Sequence, residues 1–222
     1  MIIPALNERE SLPNATCSAV GAREILVVDG GSTDGTREWA ASQPGVVLLD
    51  APRGRGPQLA AGTRAATGDI LLFLHADCQL PPGALDAVRQ SQASGGCFRV
   101  RFAETRPFSL TLTAWFINAH SALTRTATGD QAIWVRREVH DALGGFTPWP
   151  LFEDVDFVDR LRRQGRFDVL PLAITISARR WLAWGVGRTN LLMILLWIGY
   201  RLGVSPEKLK KWFHDVRPKN AP

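Results

Sequence analysis

The chain has 222 residues, of which 45% are hydrophobic and 21% charged, proportions that exclude wholesale disorder and allow one large folded domain. Its formal net charge of +5, carried mainly by arginine, suits planar contacts to phosphates and carboxylates. A phosphorylated ligand, a nucleic acid and an anionic membrane surface are therefore all open, beside a merely solvated basic face.

Cys17, Cys78 and Cys97 are odd in number and show no metal-ligand spacing, which points to reduced thiols in a cytosolic protein rather than a disulfide framework or zinc site. The chain opens with Met1-Ile2-Ile3-Pro4 and no signal-peptide pattern. In the first hundred residues short apolar runs alternate with helical segments. Strands are expected at 1–4, 24–29, 46–49 and 69–75, and helices at 9–20, 34–42, 56–66 and 82–92. Unalternating apolar runs separated by helices predict a parallel sheet buried on both faces, a Rossmann-like, nucleotide-binding half.

Beyond Gly95-Gly96 the pattern loosens. "CFRVRF" (97–102) and "QAIWVRR" (131–137) read as strands, the first alternating, so antiparallel edges and a mixed sheet are expected. Helices are expected at 108–123 and 153–164. The second has a core stripe of Val155, Val158 and Leu161, with Asp156/Arg160 and Asp159/Arg163 as i,i+4 pairs. The tail reads as helix 189–202, then a short amphipathic helix begun by Ser205-Pro206-Glu207, with Leu209, Trp212, Phe213 and Val216 as its apolar stripe. "TNLLMILLWIGY" (189–200) is too short to span a bilayer, which leaves core or dimer packing, or contact with a membrane surface. No repeat or linker marks a second domain.

Several segments could carry chemistry. In "VVDGGSTDGT" (27–36) Ser32, Thr33 or Asp34 can cap a helix, and turn chemistry explains much of it. The functional reading makes Asp29 an acceptor for a base N–H, with glycines admitting a ring. "RGRGPQ" (53–58) places Arg53 and Arg55 in a glycine-rich loop, with Gln58 in the first turn of a helix, aiming donors and a helix dipole at an anion. "GDILLFLHADC" (68–78) ends an apolar run in His75 and Asp77, two residues apart and so on one side of an extended chain. Asp77 suits Mg²⁺ or Mn²⁺ bridging a diphosphate, His75 suits Mn²⁺ or a hydrogen bond to phosphate or sugar, and an Asp-capped turn is the bland alternative. Glu153 and Asp154 open a helix whose dipole keeps them ionised, as a general base requires. Arg179, Arg180 and Trp181 combine phosphate donors with a flat ring, or form a basic edge beside a packed tryptophan.

In order, "IPALNE", "VVDGGSTDGT", "GDILLFLHADC", "GDQAIWVRR" and "FEDVDF" resemble the family 2 glycosyltransferases of the GT-A fold over nearly the whole chain. With "GRGPQ" and "RRW" they are most similar to the subgroup called radical-SAM/selenodomain-associated transferase 2, also labelled arsenosugar-biosynthesis glycosyltransferase-like. The resemblance implies an α/β chain with a GT-A mixed sheet flanked by helices and a C-terminal helical tail. It would form one domain over 1–222, divided into a nucleotide-sugar half (1–105), an acceptor-side half (106–180) and a tail (181–222).

It implies donor binding by Pro4, Leu6, Asn7 and Glu8, by Asp29, Gly31 and Ser32, by Arg55 and Gln58, and by His75, Ala76 and Asp77. Asp77 takes the last acid of the family's metal motif, with His75 standing for the first, and the cofactor is Mn²⁺ or Mg²⁺. Asp154 takes the catalytic-base position with Glu153 beside it. Gly129, Asp130, Gln131, Arg179, Arg180 and Trp181 face acceptor and diphosphate, and Ser177 stands where processive members carry glutamine.

The implied reaction is inverting single displacement from a UDP-sugar to a small-molecule or lipid acceptor, by a cytoplasmic or membrane-peripheral enzyme. Peripheral membrane contact and a homodimer through the C-terminal helices remain open, and nucleic acid is not an expected partner. The opposing readings are a non-catalytic nucleotide-sugar-binding or membrane-docking protein, and a sugar-nucleotide pyrophosphorylase, whose glycine-rich opening this chain lacks.

Overall fold

A computed structural model describes residues 1–104 and 107–213. The elements in order are β1 (Ile2–Ala5), α1 (Leu12–Ser18), β2 (Ile25–Asp29), α2 (Thr36–Ser42), β3 (Val46–Asp50), α3 (Arg55–Ala65), β4 (Ile70–Leu72), β5 (Cys78–Gln79), α4 (Ala84–Gln90), β6 (Gly95–Phe102), α5 (Phe108–Thr124), β7 (Trp134–Arg136), α6 (Arg137–Ala142), α7 (Glu153–Gln164), β8 (Phe167–Ile176), α8 (Arg179–Trp184), α9 (Val186–Arg201) and α10 (Pro206–Lys210). A 3₁₀ turn, Gly129–Gln131, precedes β7.

Strands β1, β2 and β3 are parallel, in that order. The order β4-β7-β6-β8-β5 makes a second, mixed sheet, and a parallel bridge from Ile2 to Phe73 joins the two. Because successive side chains point to opposite faces, Ile3, Val27, Leu72 and Trp134 enter the core on one side, while Ile2, Leu26, Leu71 and Val135 enter the core on the other. The sheet is therefore apolar on both faces.

The parallel first half is as the sequence predicts, with β2, β4, α1, α2 and α4 shorter than expected. α1 starts at Leu12 because Pro13 fits only the first turn. β4 stops at Leu72, although Phe73 and Leu74 still donate backbone hydrogen bonds to Ile133 and Ile2, so His75 lies in the turn beyond the sheet.

Two elements depart from the sequence reading. β6 is antiparallel to β7, as its alternation implies, yet runs parallel to β8 on its other side. β8 itself is unheralded, because Pro171 interrupts its run and proline is disfavoured inside a strand. The chain accommodates it in a bulge: Phe98 pairs with Leu170 and Arg99 with Ala173, which leaves Pro171 and Leu172 out of register. On α7, Arg160 meets Asp156 at 2.8 Å as expected, but Asp159 turns to Arg201 at 2.5 Å and Arg162 at 3.4 Å instead of to Arg163. The boundary expected at 105/106 and the tail residue Val216 lie outside the described residues.

Candidate active site

The carboxyl ends of β1 and β2 are joined by their own turns. Asn7, at φ 54°, donates its N–H to Ser32 Oγ at 2.9 Å, and its side-chain oxygen accepts from Thr33 N–H at 2.9 Å. Asp29, wholly buried, accepts from Gly31 N–H at 2.8 Å, from Ser32 N–H at 2.9 Å and from the Ser32 hydroxyl, with Arg37 3.3 Å away. Gln58, on α3, donates to the carbonyls of Ala5 and Val28, each at 2.7 Å. Its amide nitrogen thus binds the strand ends together, where the sequence reading aimed it at an anion.

Beside these turns opens a cavity of about 1290 Å³. Pro4, Leu6, Glu8, Arg55, Gln58, His75, Ala76, Asp77, Gly129, Asp130, Gln131, Asp154, Arg179, Arg180 and Trp181 all line it, whereas Asn7, Asp29, Gly31, Ser32 and Glu153 do not. The fold thus brings most of the predicted residues to one space.

On one wall Arg179, at the start of α8, grips Glu8 with two hydrogen bonds of 2.8 and 2.6 Å and reaches Asp77 at 3.1 Å. Burial pushes the Glu8 carboxyl up in pKa, against the pull of Arg179, while Glu8 and Asp77 hold the guanidinium charged. Trp181 donates its indole N–H to Asn190 at 2.8 Å and packs edge-on against Phe102.

On the opposite wall, the α7 amino end presents Asp154. Its Oδ2 accepts from Gly129 N–H at 2.6 Å and its Oδ1 from Val155 N–H at 2.8 Å, with Arg55 3.6 Å away. Phe152, just before it, adopts φ 64°, a strained conformation for a bulky residue, and stacks on Tyr200. Glu153 turns away from the cavity to clasp Arg55, and burial raises its pKa. Arg55 in turn approaches His75 Nε2 to 3.4 Å. Burial and this guanidinium lower the His75 pKa, so its ring is neutral.

Between the walls lies Gly129. A Cβ built there would sit 2.6 Å from His75 Nε2 and 3.1 Å from Asp154 Oδ2. Only a glycine lets the histidine and the carboxylate close over the same backbone. Gln131 fixes that turn as a capping box with Thr128 and by donating to Phe98 O at 3.2 Å.

Ligand atoms of His75, Asp77 and Cys78 lie within 4.8 Å of one another. Burial raises the Cys78 thiol well above its ordinary pKa, so it is a poor ligand. The remaining imidazole and carboxylate fit Mn²⁺ or Mg²⁺, ions that need few protein ligands when phosphate oxygens and water complete their shell.

The model of a family described as glycosyl transferase family 2 matches residues 1–145. The chain belongs to glycosyl transferase family 2. Among curated relatives of this glycosyltransferase, an undecaprenyl-phosphate 4-deoxy-4-formamido-L-arabinose transferase from Pectobacterium carotovorum is 37% identical over 109 residues, 43% of this chain and 33% of that protein. An uncharacterized glycosyltransferase of Mycobacterium bovis is 36% identical over 85 residues, 38% of this chain and 39% of its own. Each match spans well under half of the relative. Among solved structures, a mannosyltransferase from Pyrobaculum calidifontis in complex with GDP-Man and Mn²⁺ is similar at TM-score 0.64 and 24% identity, over 95% of this chain and 66% of that one. S. aureus TarS 1-349 in complex with UDP-GlcNAc is similar at TM-score 0.60 and 17% identity, over 79% and 57%. The fold is GT-A-like, a mixed sheet flanked by helices.

The sequence reading put 106–180, and so α5, on the acceptor side, but did not foresee that α9 walls the cavity with it, through side chains such as Phe116, His120, Met193 and Trp197, nor that Glu8 and Arg179 pair. A signal for the first was present: no Asp or Glu occurs from Pro107 through Gly129 or from Ser177 through Pro206.

Proposed function

We propose that this glycosyltransferase moves a sugar from a nucleotide-diphospho-sugar, most consistent with a UDP-sugar, to an acceptor hydroxyl or phosphate by inverting single displacement. The observation that carries it is the convergence of Asp154 and His75 on Gly129. It sets a proton acceptor beside the expected diphosphate station, as a direct displacement requires.

Asp154 takes the acceptor's proton as the acceptor oxygen forms its bond to the anomeric carbon. The bond from that carbon to the diphosphate breaks, and its electron pair leaves on the phosphate oxygen. Two backbone N–H groups orient the carboxylate. Asp77 and His75 would hold Mn²⁺ or Mg²⁺, which supplies charge stabilisation for the departing diphosphate. Arg55 and Arg179 add fixed positive charge there. The turn from Pro4 to Glu8, braced from behind by Asp29, Gly31 and Ser32, holds the nucleoside, and Trp181 orients the acceptor. The chain is read as a single domain of the selenodomain-associated subgroup, cytoplasmic or membrane-peripheral, and Ser177, where processive members carry glutamine, favours single transfer.

The test is a thermal-shift and hydrolysis panel of UDP-, GDP- and dTDP-sugars with and without Mn²⁺. UDP is expected to raise Tm, more so with Mn²⁺, and UDP-sugar to be hydrolysed slowly. Asp154→Asn is expected to keep that shift while losing about 10²–10⁴-fold in turnover. No shift with any nucleotide would return the chain to the non-catalytic reading, and full turnover by Asp154→Asn would remove Asp154 as the base.

A further inference from the structure

Helices α5 and α9 lie side by side and run in the same direction. Asn190 donates to Thr113 Oγ1 at 2.7 Å and, seven residues further along both helices, Trp197 meets His120 edge-on at 5.6 Å. Each buries a few residues inward, Leu110 and Ala114 on α5 and Leu196 on α9. Each also carries a second apolar stripe outward.

On α5 the stripe is Phe108, Leu112, Trp115, Phe116 and Leu123, between 47% and 85% exposed. On α9 it is Leu191, Ile194, Leu195, Ile198 and Leu202, between 43% and 79% exposed. The intervals are those of one helix face, normally the face turned to a core. A contiguous exposed apolar patch of this kind marks an interaction surface.

Charge selects the partner. Neither stretch holds an Asp or Glu, and of the exposed charges at the ends of α5 and α9 and on α10, Arg125, Arg188, Lys208 and Lys211 outnumber Glu207. Two copies meeting through this face would oppose cation to cation, since a two-fold contact pairs a patch with itself. An anionic lipid surface supplies both the apolar depth and the countercharge. Aromatic Trp115, Phe116 and Trp212 suit the depth of the head groups.

Phe116, Ile194 and Ile198 belong to the exposed stripes and also line the active-site cavity. The cavity therefore opens onto the patch.

We infer that α5 and α9 dock this enzyme flat on an anionic bilayer, and that its acceptor is a membrane lipid whose head group enters the cavity past Phe116, Ile194 and Ile198. Among the described residues no helix is long and apolar enough to cross a membrane, which accords with lying on one. The acceptor half of this inference rests on the sugar-transfer reading above, whereas the docking half stands without it.

The test is co-sedimentation of the full chain with phosphatidylglycerol/phosphatidylcholine vesicles and with phosphatidylcholine vesicles alone. Binding is expected to the anionic vesicles, weakening in high salt. The triple variant Trp115→Ser, Leu191→Ser, Leu195→Ser, at positions outside the cavity lining, is expected to partition at least ~10-fold more weakly. Its nucleotide-dependent thermal shift should match that of the parent, which separates lost docking from lost folding. Turnover should rise when lipid extract is added to the parent but not to the triple variant. Vesicle binding that is absent, or unchanged in the triple variant, overturns the docking, as does a stable dimer that the triple substitution dissolves. Docking with full turnover on a water-soluble acceptor and none on lipid overturns the acceptor half. Failure of the nucleotide shift in the parent strikes the sugar-transfer reading alone.

Discussion

Gly129→Ala tests the centre of the site with a single methyl group. Its φ is not among the left-handed values of the chain, so alanine is allowed by the backbone and the effect is one of space. The added Cβ would lie 2.6 Å from His75 Nε2, which is 0.8 Å short of the 3.4 Å at which ordinary contact begins. Neither neighbour yields freely, because His75 faces Arg55 and Asp154 is also held by Val155 N–H. Relief must come from moving the 3₁₀ turn outward, which stretches the 2.6 Å bond from Gly129 N–H to Asp154. Losing a hydrogen bond to a charged group costs about 1.5–3 kcal/mol, or a Tm lower by about 3–12 °C for a chain of this size. Misplacing a reacting group by about 1 Å costs on the order of 10²-fold in rate. The assay is initial-rate hydrolysis of the nucleotide-sugar selected by the binding panel, beside thermal melting of the same preparation. Parental kcat at unchanged Tm would refute the claim that His75 and Asp154 close over this glycine.

Three further outcomes are expected. Arg179→Ala leaves Glu8 buried without its cation, which should cost about 3–5 kcal/mol; chemical denaturation reads the loss, and adding Glu8→Gln should restore part of it. Gln58→Leu strips the carbonyls of Ala5 and Val28 of a donor, while Ala5 keeps the N–H of Gly30, and should cost about 0.5–1.5 kcal/mol for each hydrogen bond lost, seen as a lower urea midpoint at unchanged m-value. His75 is held below its ordinary pKa of 6.5 by burial and Arg55, so as pH falls the unfolded chain takes up that proton first. Stability present above pH 6.5 should therefore drain away as pH drops through 6.5 towards the folded value, and His75→Gln should flatten that part of a Tm-against-pH profile of the metal-free protein.

Much of the parallel half was legible because its physics is local. Unbroken runs such as Ile25–Asp29 can be buried on both faces only in a parallel sheet covered by helices, and the acid and glycines that follow mark the turn. Of the residues expected in those turns, Pro4, Leu6 and Glu8 reach the cavity, whereas Asn7, Asp29, Gly31 and Ser32 stay outside its lining. β8 was not legible, since Pro171 argues against a strand and the bulge that admits it is set by β6, about seventy residues earlier. Glu153 read as a partner in catalysis by adjacency to Asp154, whereas the structure turns it to Arg55, a choice of side that sequence spacing alone does not make. Gln58 likewise looked like an anion ligand, because nothing in its neighbourhood announces the two strand-end carbonyls it meets.

The clamp between Glu8 and Arg179 spans 171 residues of chain. During synthesis the first turn of the protein waits for this cation until the last strand, β8, has been made. Asp154 is also beyond residue 145, where the family match ends. A ribosome paused at that point would display the family-matched segment with neither its clamp nor Asp154, the base proposed above. On the mechanism proposed above, a fragment ending near residue 145 is therefore expected to be inert in sugar transfer.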